Sequence, residues 1–302
     1  MKQKTKEKKE RIFEIDLLRC LPIFVVMLYH LCYDFSLIPT IVSNYQEVIW
    51  NYPNLDSFLN FAYQTANSSI ILDVLAPLVG SIFLFISGIS TVFSKNNVKR
   101  GFLLLFGSLL VSLATWLIDF ILQQFGSADD VFIGFGILHV MAVSILLYGI
   151  FEWIVHRLFH KEIPSIIMLI VGTLILFMGI TLRNGVIIGG KEVIWPLDYS
   201  YGDPLTQVNH FSYTVFFDSA IGRIGNVVDW WPILPYSGVI YIGMAFGKVL
   251  YKDKKSLVPK LNLKVFKPLC FIGRHTIYFY LLHQPIFILI LAIVFFALGF
   301  RI

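Results

Sequence analysis

The sequence predicts an all-α membrane protein, a polytopic transmembrane helix bundle of about seven helices with its N-terminus inside. Three observations carry that expectation. Of 302 residues, 57% are hydrophobic and only 14% charged, and the mean hydropathy is +0.75. Ordinary soluble domains run near a quarter charged, so lipid is the natural solvent for this chain. Apolar stretches of roughly 20 residues, the length of one bilayer crossing, recur along it. Finally, the 24 Lys and Arg residues fall between those stretches and mostly on alternate sides, a topology signal. No basic stripe interleaves with aromatics on a soluble element, so no nucleic-acid partner is expected. The expected partner is the bilayer itself.

In chain order, residues 1–11 (MKQKTKEKKER) read as a solvated basic cytoplasmic tail. The tail leads into a long first span with no small-residue cleavage site, so that span is expected to be a retained helix. Crossings are expected near 16–38, 69–93, 101–121, 131–154, 163–182, 229–250 and 271–298. With the tail inside, every Lys and Arg is cytoplasmic except Arg183, Lys191, Arg223 and Arg301. The outer loops hold Glu47, Asp56, Asp129, Asp130, Glu192, Asp198, Asp203 and Asp218. That asymmetry gives N-inside, C-outside and seven crossings.

Residues 183–228 read as a long polar outer loop. Its partly apolar piece around Tyr213–Ile224 leaves open an interfacial or re-entrant helix at 207–225, and an eighth full crossing there would reverse the seventh helix. No Gly/Ser/Pro-rich linker and no internal repeat divides the chain, so 1–302 is expected to be one domain. Cys20, Cys32 and Cys270 lack metal-site spacing, and no metal is expected.

Ionisable side chains at membrane depth cost several kcal/mol unless paired or hydrated, which makes each a functional candidate. The first helix is the richest. At about 100° per residue, Asp16, Arg19, His30 and Asp34 share an arc of about 60°, with Glu14 nearly opposite. Arg19 and His30 are separated by about 16 Å along the axis. Asp34, one turn beyond His30, is placed to accept an imidazole N–H and orient the ring, which would make His30 a general base. The pair could equally be a satisfied polar contact near the outer interface. Asp73, His139 and His283 are supporting polar residues on other helices, each also readable as hydrogen-bonded structure. Arg274 is expected at the cytoplasmic boundary, where anchoring and phosphate binding are both credible. No GxxxxGK[ST], HExxH or GxSxG motif occurs, which disfavours ATP-driven transport and familiar membrane proteolysis.

The string RIFEIDLLRCLPIFVVMLYHLCYDFSL resembles the opening of the transmembrane acyltransferase superfamily. SIFLFISGIS, FGILHVMAVS, WWPILPYSGVIYIGMAFGK and IGRHTIYFYLLHQPI follow in family order. The chain is most similar to the bacterial family sharing the heparan-alpha-glucosaminide N-acetyltransferase catalytic domain. Arg19 and His30 reproduce the arginine and histidine spacing of the related acyltransferase-3 proteins. The resemblance implies that His30 is catalytic and that the donor is an acyl-CoA, commonly acetyl-CoA. It also implies a sugar, cell-envelope glycan or small-molecule acceptor and a bacterial cytoplasmic membrane. Cys20 departs from the glycine often found after the arginine. With the donor that the resemblance implies, Arg19 and Arg274 are expected to bind CoA phosphates, because guanidinium forks match phosphate oxygens. The competing expectation is a proton-coupled transporter or flippase using the same buried residues. Acceptor, acyl length and oligomeric state are not legible.

Overall fold

The computed structural model describes residues 12–124, 132–184, 186–188, 191–193, 229, 231–261 and 264–301. The fold is all-helical apart from one small hairpin, β1 (Val186–Ile188) paired antiparallel with β2 (Lys191–Val193). The helices are α1 (Phe13–Ile41), α2 (Tyr45–Ile49), α3 (Pro53–Ala66), α4 (Ala76–Ile89), α5 (Asn97–Gln124), α6 (Ile137–Phe159), α7 (Ser165–Asn184), α8 (Ile233–Leu250), α9 (Lys267–Arg274) and α10 (Thr276–Ala297). Six described helical stretches are long and apolar enough to cross a membrane, including the run Ile70–Phe93 through α4, and Ser165–Thr181 is a shorter apolar helix. The protein is an integral membrane protein.

The helices group into two compact units, Met1–Phe83 with Val258–Ile302, and Leu84–Leu257. In the first, α1 packs on α3, α9 and α10. Contacts climb the two ends of the chain in step. Cys270 lies on the Phe13 carbonyl, Arg274 on Asp16, His283 against His30 and Gln284 on Asp34. Higher up, Ile38, Val42, Ile49, Leu59, Leu291, Phe295 and Phe300 form one buried cluster. At the top, Ser43 N–H donates to the Arg301 carbonyl (2.8 Å) and Arg301 N–H to Asn44 Oδ1 (2.8 Å). α1 and α10 therefore run parallel, which requires an odd number of crossings between them; among the described residues, the four intervening membrane-length stretches and the shorter apolar helix Ser165–Thr181 make five. Pro22 and Pro39 lie inside α1, a placement tolerated in membrane helices because neighbours and local adjustments satisfy the freed carbonyls.

In the second unit, α5 packs on α6, α7 on α8, and α6 on α8. Small residues allow the closest approach, as membrane interfaces favour. A Cβ at Gly172 would press on the Gly238 carbonyl, and one at Gly243 would overlap the Phe85 carbonyl. Tyr148 donates to Glu152 Oε1 (2.7 Å) and Asn97 to Glu152 Oε2 (2.9 Å), tying α6 to the start of α5.

Several expected boundaries move. The seventh crossing is not one helix over 271–298: it breaks at His275, where φ −107° and ψ 23° leave the helical region. The polar run Arg274, His275 and Thr276 stands at that break, and the apolar span begins at Thr276. The stretch before the second crossing holds α2 and α3, tied by Tyr45 donating to Asp56 Oδ1 (2.7 Å). Burial, then the bond to Asp56, raises the Tyr45 phenol above its ordinary range, so it stays a donor. The second crossing opens with a π-helical turn, Ile70–Leu75. α6 begins at Ile137 rather than near 131, and in α8 Leu234 is still extended (φ −100°, ψ 123°), as expected before a proline. The helix left open at 207–225 lies outside the described residues.

Gly273 is the tightest contact in the first unit, since a Cβ there would overlap the Asp16 carbonyl. Gly273→Ala should lower the melting temperature in detergent by the equivalent of about 1–3 kcal/mol, the usual penalty for overpacking. Gly107→Ala, with nothing within 4 Å of the added carbon, should be neutral or slightly stabilising. Equal melting temperatures for the two variants would contradict the packing described.

Candidate functional site

The polar stripe of α1 faces α9 and α10, as its periodicity predicts. At the lower end, Arg274 Nε donates to Asp16 Oδ2 at 2.8 Å. The Arg274 side chain is 36% exposed and Asp16 12%. Among the described residues only Nε of Arg274 is engaged, by Asp16, so its two terminal amino groups have no partner there. Arg19, one turn above Asp16, makes no hydrogen bond or ion pair among the described residues, and the charge of Asp16 is its nearest electrostatic neighbour. Arg274 closes an ion pair between α1 and α9.

Further along the seam the two histidines meet. The His30 and His283 rings are 5.0 Å apart, edge to face at 79°. His283 Nδ1 lies 2.8 Å from the Tyr280 carbonyl and 3.2 Å from the Phe279 carbonyl. A carbonyl only accepts, so Nδ1 carries the proton in the neutral ring and Nε2 presents a lone pair. Tyr280 and Phe287 flank the ring.

Asp34 does not orient His30 in the way the one-turn spacing predicts. Its Oδ1 instead accepts from Gln284 Nε2 across the interface. The Gln284 side chain lies within reach of His30, but its Oε1 closes no hydrogen bond of good geometry. Gln284 is the residue that sequence reasoning missed. An amide inside an apolar span was the available signal, and it stands beside His283 in YLLHQPI. Asp34 and His283 are 7% and 6% exposed. Asp34 Oδ2, His283 Nε2 and Gln284 Oε1 are buried with no hydrogen-bond partner among the described residues.

His139 belongs to different local chemistry. It is 1% exposed. Its Nδ1 accepts the Gly136 N–H (3.1 Å), so Nε2 carries the proton and donates to Ser112 Oγ (3.1 Å), which donates in turn to the Ile133 carbonyl (2.7 Å). Asp229 completes the start of α6, accepting from the Ile137 N–H and the Trp231 indole. The ring is a helix cap with both nitrogens engaged. Asp73 lies in the π-helical turn, and its side chain is outside the description. Among the described residues no group of three His, Cys, Asp or Glu could hold a metal ion.

The family model described as "Heparan-alpha-glucosaminide N-acetyltransferase, catalytic" matches residues 53–285. The chain belongs to this family. It is a multi-pass membrane protein of acetyltransferase type. The match takes in Arg274, His283 and Gln284 and begins after α1, so the residues of α1 join the site through the contacts above. The chain matches no curated protein and no solved structure.

His139→Ala should remove the cap from α6 and leave Gly136 N–H and Ser112 without their buried partner. The expected cost is about 1–3 kcal/mol of stability, read as a lower melting temperature in detergent. A melting temperature equal to that of the parent would show that the cap contributes nothing.

Proposed function

We propose that the protein moves an acyl group, acetyl by preference, from acyl-CoA to a hydroxyl or amine of a sugar or cell-envelope glycan, at the seam between α1 and α10. The observation that carries this reading, within a family of acetyltransferase type, is the contact of half-buried His30 with buried His283 beside polar atoms unpartnered among the described residues. The site's location in a bacterial cytoplasmic membrane, with residues 1–11 inside, is part of the same proposal.

Arg19 and the free amino groups of Arg274 suit the phosphates of the donor, where fork geometry gives charge-assisted bidentate bonds. From Arg19 to His30 is about 16 Å along α1, a distance that an extended pantetheine arm can bridge. At His30 the acceptor oxygen or nitrogen bonds to the thioester carbonyl carbon, its proton passes to the imidazole, and the C–S bond breaks. The thiolate takes up a proton and leaves. Asp34, one turn above, favours the imidazolium by its charge while Gln284 holds it in place.

Two variants test the assignment on detergent-purified protein checked for folding. His30→Ala should abolish acetyl-CoA turnover, a loss of at least about a hundredfold, the low end of a general base's contribution, while donor binding persists. Arg19→Ala should instead weaken donor binding and leave the melting temperature near the parent's. Wild-type turnover in His30→Ala removes the base. A transporter would move solute without cleaving any thioester, so absence of turnover with membrane extracts supplied as acceptor favours that reading.

A further inference from the structure

Between Tyr251 and Phe271 the sequence holds six lysines, Lys252, Lys254, Lys255, Lys260, Lys264 and Lys267, against one acidic residue, Asp253. That excess of positive charge is as large as the net charge of the whole chain, +5. The last three lysines belong to the first unit, in two short 3-10 turns, Pro259–Leu261 and Lys264–Phe266, and at the first residue of α9. Neither turn buries a residue. Lys260, Lys264 and Lys267 are exposed, and so are Leu261 (55%), Val265 (69%) and, on α9, Phe271 (54%). Their level is set by α9. Cys270 Sγ donates to the Phe13 carbonyl at 3.6 Å, and Phe13 opens the first membrane-length helix. The turns therefore lead into α9 where a span begins, at the boundary between water and lipid.

Apolar and basic residues are interleaved here: Leu261 follows Lys260, Val265 follows Lys264, and Phe271 stands one turn beyond Lys267. Water alone accounts for the lysines and leaves the apolar side chains exposed at a cost. A neutral lipid surface accounts for the apolar side chains and leaves the excess of charge without a partner. An anionic lipid surface uses both, because an ammonium can reach a headgroup phosphate while its neighbour enters the acyl boundary.

We infer that these two turns and the start of α9 are a docking surface for anionic lipid. Lys260, Lys264 and Lys267 meet phosphodiester headgroups, and Leu261, Val265 and Phe271 enter the lipid beneath them. The bound lipid steadies the turns that lead to the Arg274–Asp16 ion pair. None of this depends on acyl transfer.

Full-length protein in a neutral detergent tests the inference, titrated with phosphatidylglycerol, with phosphatidylcholine or with inorganic phosphate. The readout is hydrogen exchange at the backbone amides of the two turns. Phosphatidylglycerol should slow exchange there saturably, and the other two should not. A lysine at an anionic surface is worth about fivefold in affinity, so the triple variant Lys260→Gln, Lys264→Gln, Lys267→Gln should shift the phosphatidylglycerol midpoint about a hundredfold. Its melting temperature without added lipid should equal the parent's, because the three side chains are exposed. Leu261→Ser with Val265→Ser should weaken the same protection while every lysine remains. Equal slowing by phosphatidylcholine or by inorganic phosphate overturns the inference, as does an unchanged midpoint in the lysine variant. Protection that needs no lipid and grows with protein concentration would assign the surface to a second copy of the chain, and overturns it too.

Discussion

Lipid offers no hydrogen bonds, so a carboxylate, an amide and two imidazoles can sit at membrane depth only if helices bring them to one another. The bond between Asp34 and Gln284 meets that constraint across α1 and α10 and sets their register. Below it the Asp16–Arg274 ion pair fixes α9 against the lower end of α1, and above it the Arg301 and Asn44 contacts close the top. Between these, apolar side chains such as Leu21, Val25 and Leu28 on α1 and Ile286, Leu289 and Ile293 on α10 remain exposed, as lipid-facing surfaces should. The parallel direction of the two helices follows from that ladder, and it accords with the seven crossings read from the charges.

The seam also explains which parts of the protein were legible in the sequence. Bilayer-length apolar spans and the polar stripe of α1 are local patterns, governed by one helix's own period, so Asp16, Arg19, His30 and Asp34 could be placed on one face without a partner in view. The partner of Asp34 could not. A residue 250 positions away supplies it, and no periodicity within either helix encodes which side chain across the interface wins the carboxylate. Spacing alone favoured His30, one turn back; packing gave Gln284 the better approach. His139 was readable as hydrogen-bonded structure, and its bond to Gly136 is local; its other partner, Ser112 on a different helix, was not legible. The break at His275 has no proline, but the run Gly273, Arg274, His275 and Thr276 interrupts the apolar pattern there. Once α9 must present Arg274 to Asp16 while α10 presents His283 to His30, a change of direction between them is no surprise.

Family membership and geometry contribute different halves of the functional argument. The match over residues 53–285 establishes the class, but a class does not locate chemistry. The contacts bring α1, which precedes the matched region, against the end of that region, and the proposed site rests on them. The two histidines are unlike each other: the His283 tautomer is fixed by backbone carbonyls of its own helix, whereas among the described residues His30 has the side chain of Gln284 within reach and no such carbonyl bond. A ring held in one tautomer is well suited to receive a fixed hydrogen bond. A less constrained ring is better suited to exchange a proton, which is the role proposed for His30.

The same seam bears on transport as the rival reading. A proton relay needs carriers close enough to pass a proton along the path. On α1 no carboxylate, amine or imidazole lies between Arg19 and His30, and on α10 none lies between His275 and His283. The α1 interval holds buried Ile23 and Cys20 and the partly buried Val26 and Met27, while hydroxyls in the two intervals come from Tyr29, Thr276, Tyr278 and Tyr280. Charged groups at one level and imidazoles about 16 Å further along, with no carboxylate, amine or imidazole between them on these two helices, are widely spaced for a proton relay. They suit a long, thin molecule that is anchored by phosphates at one end, is uncharged along its middle and reacts at the other, and acyl-CoA has that shape.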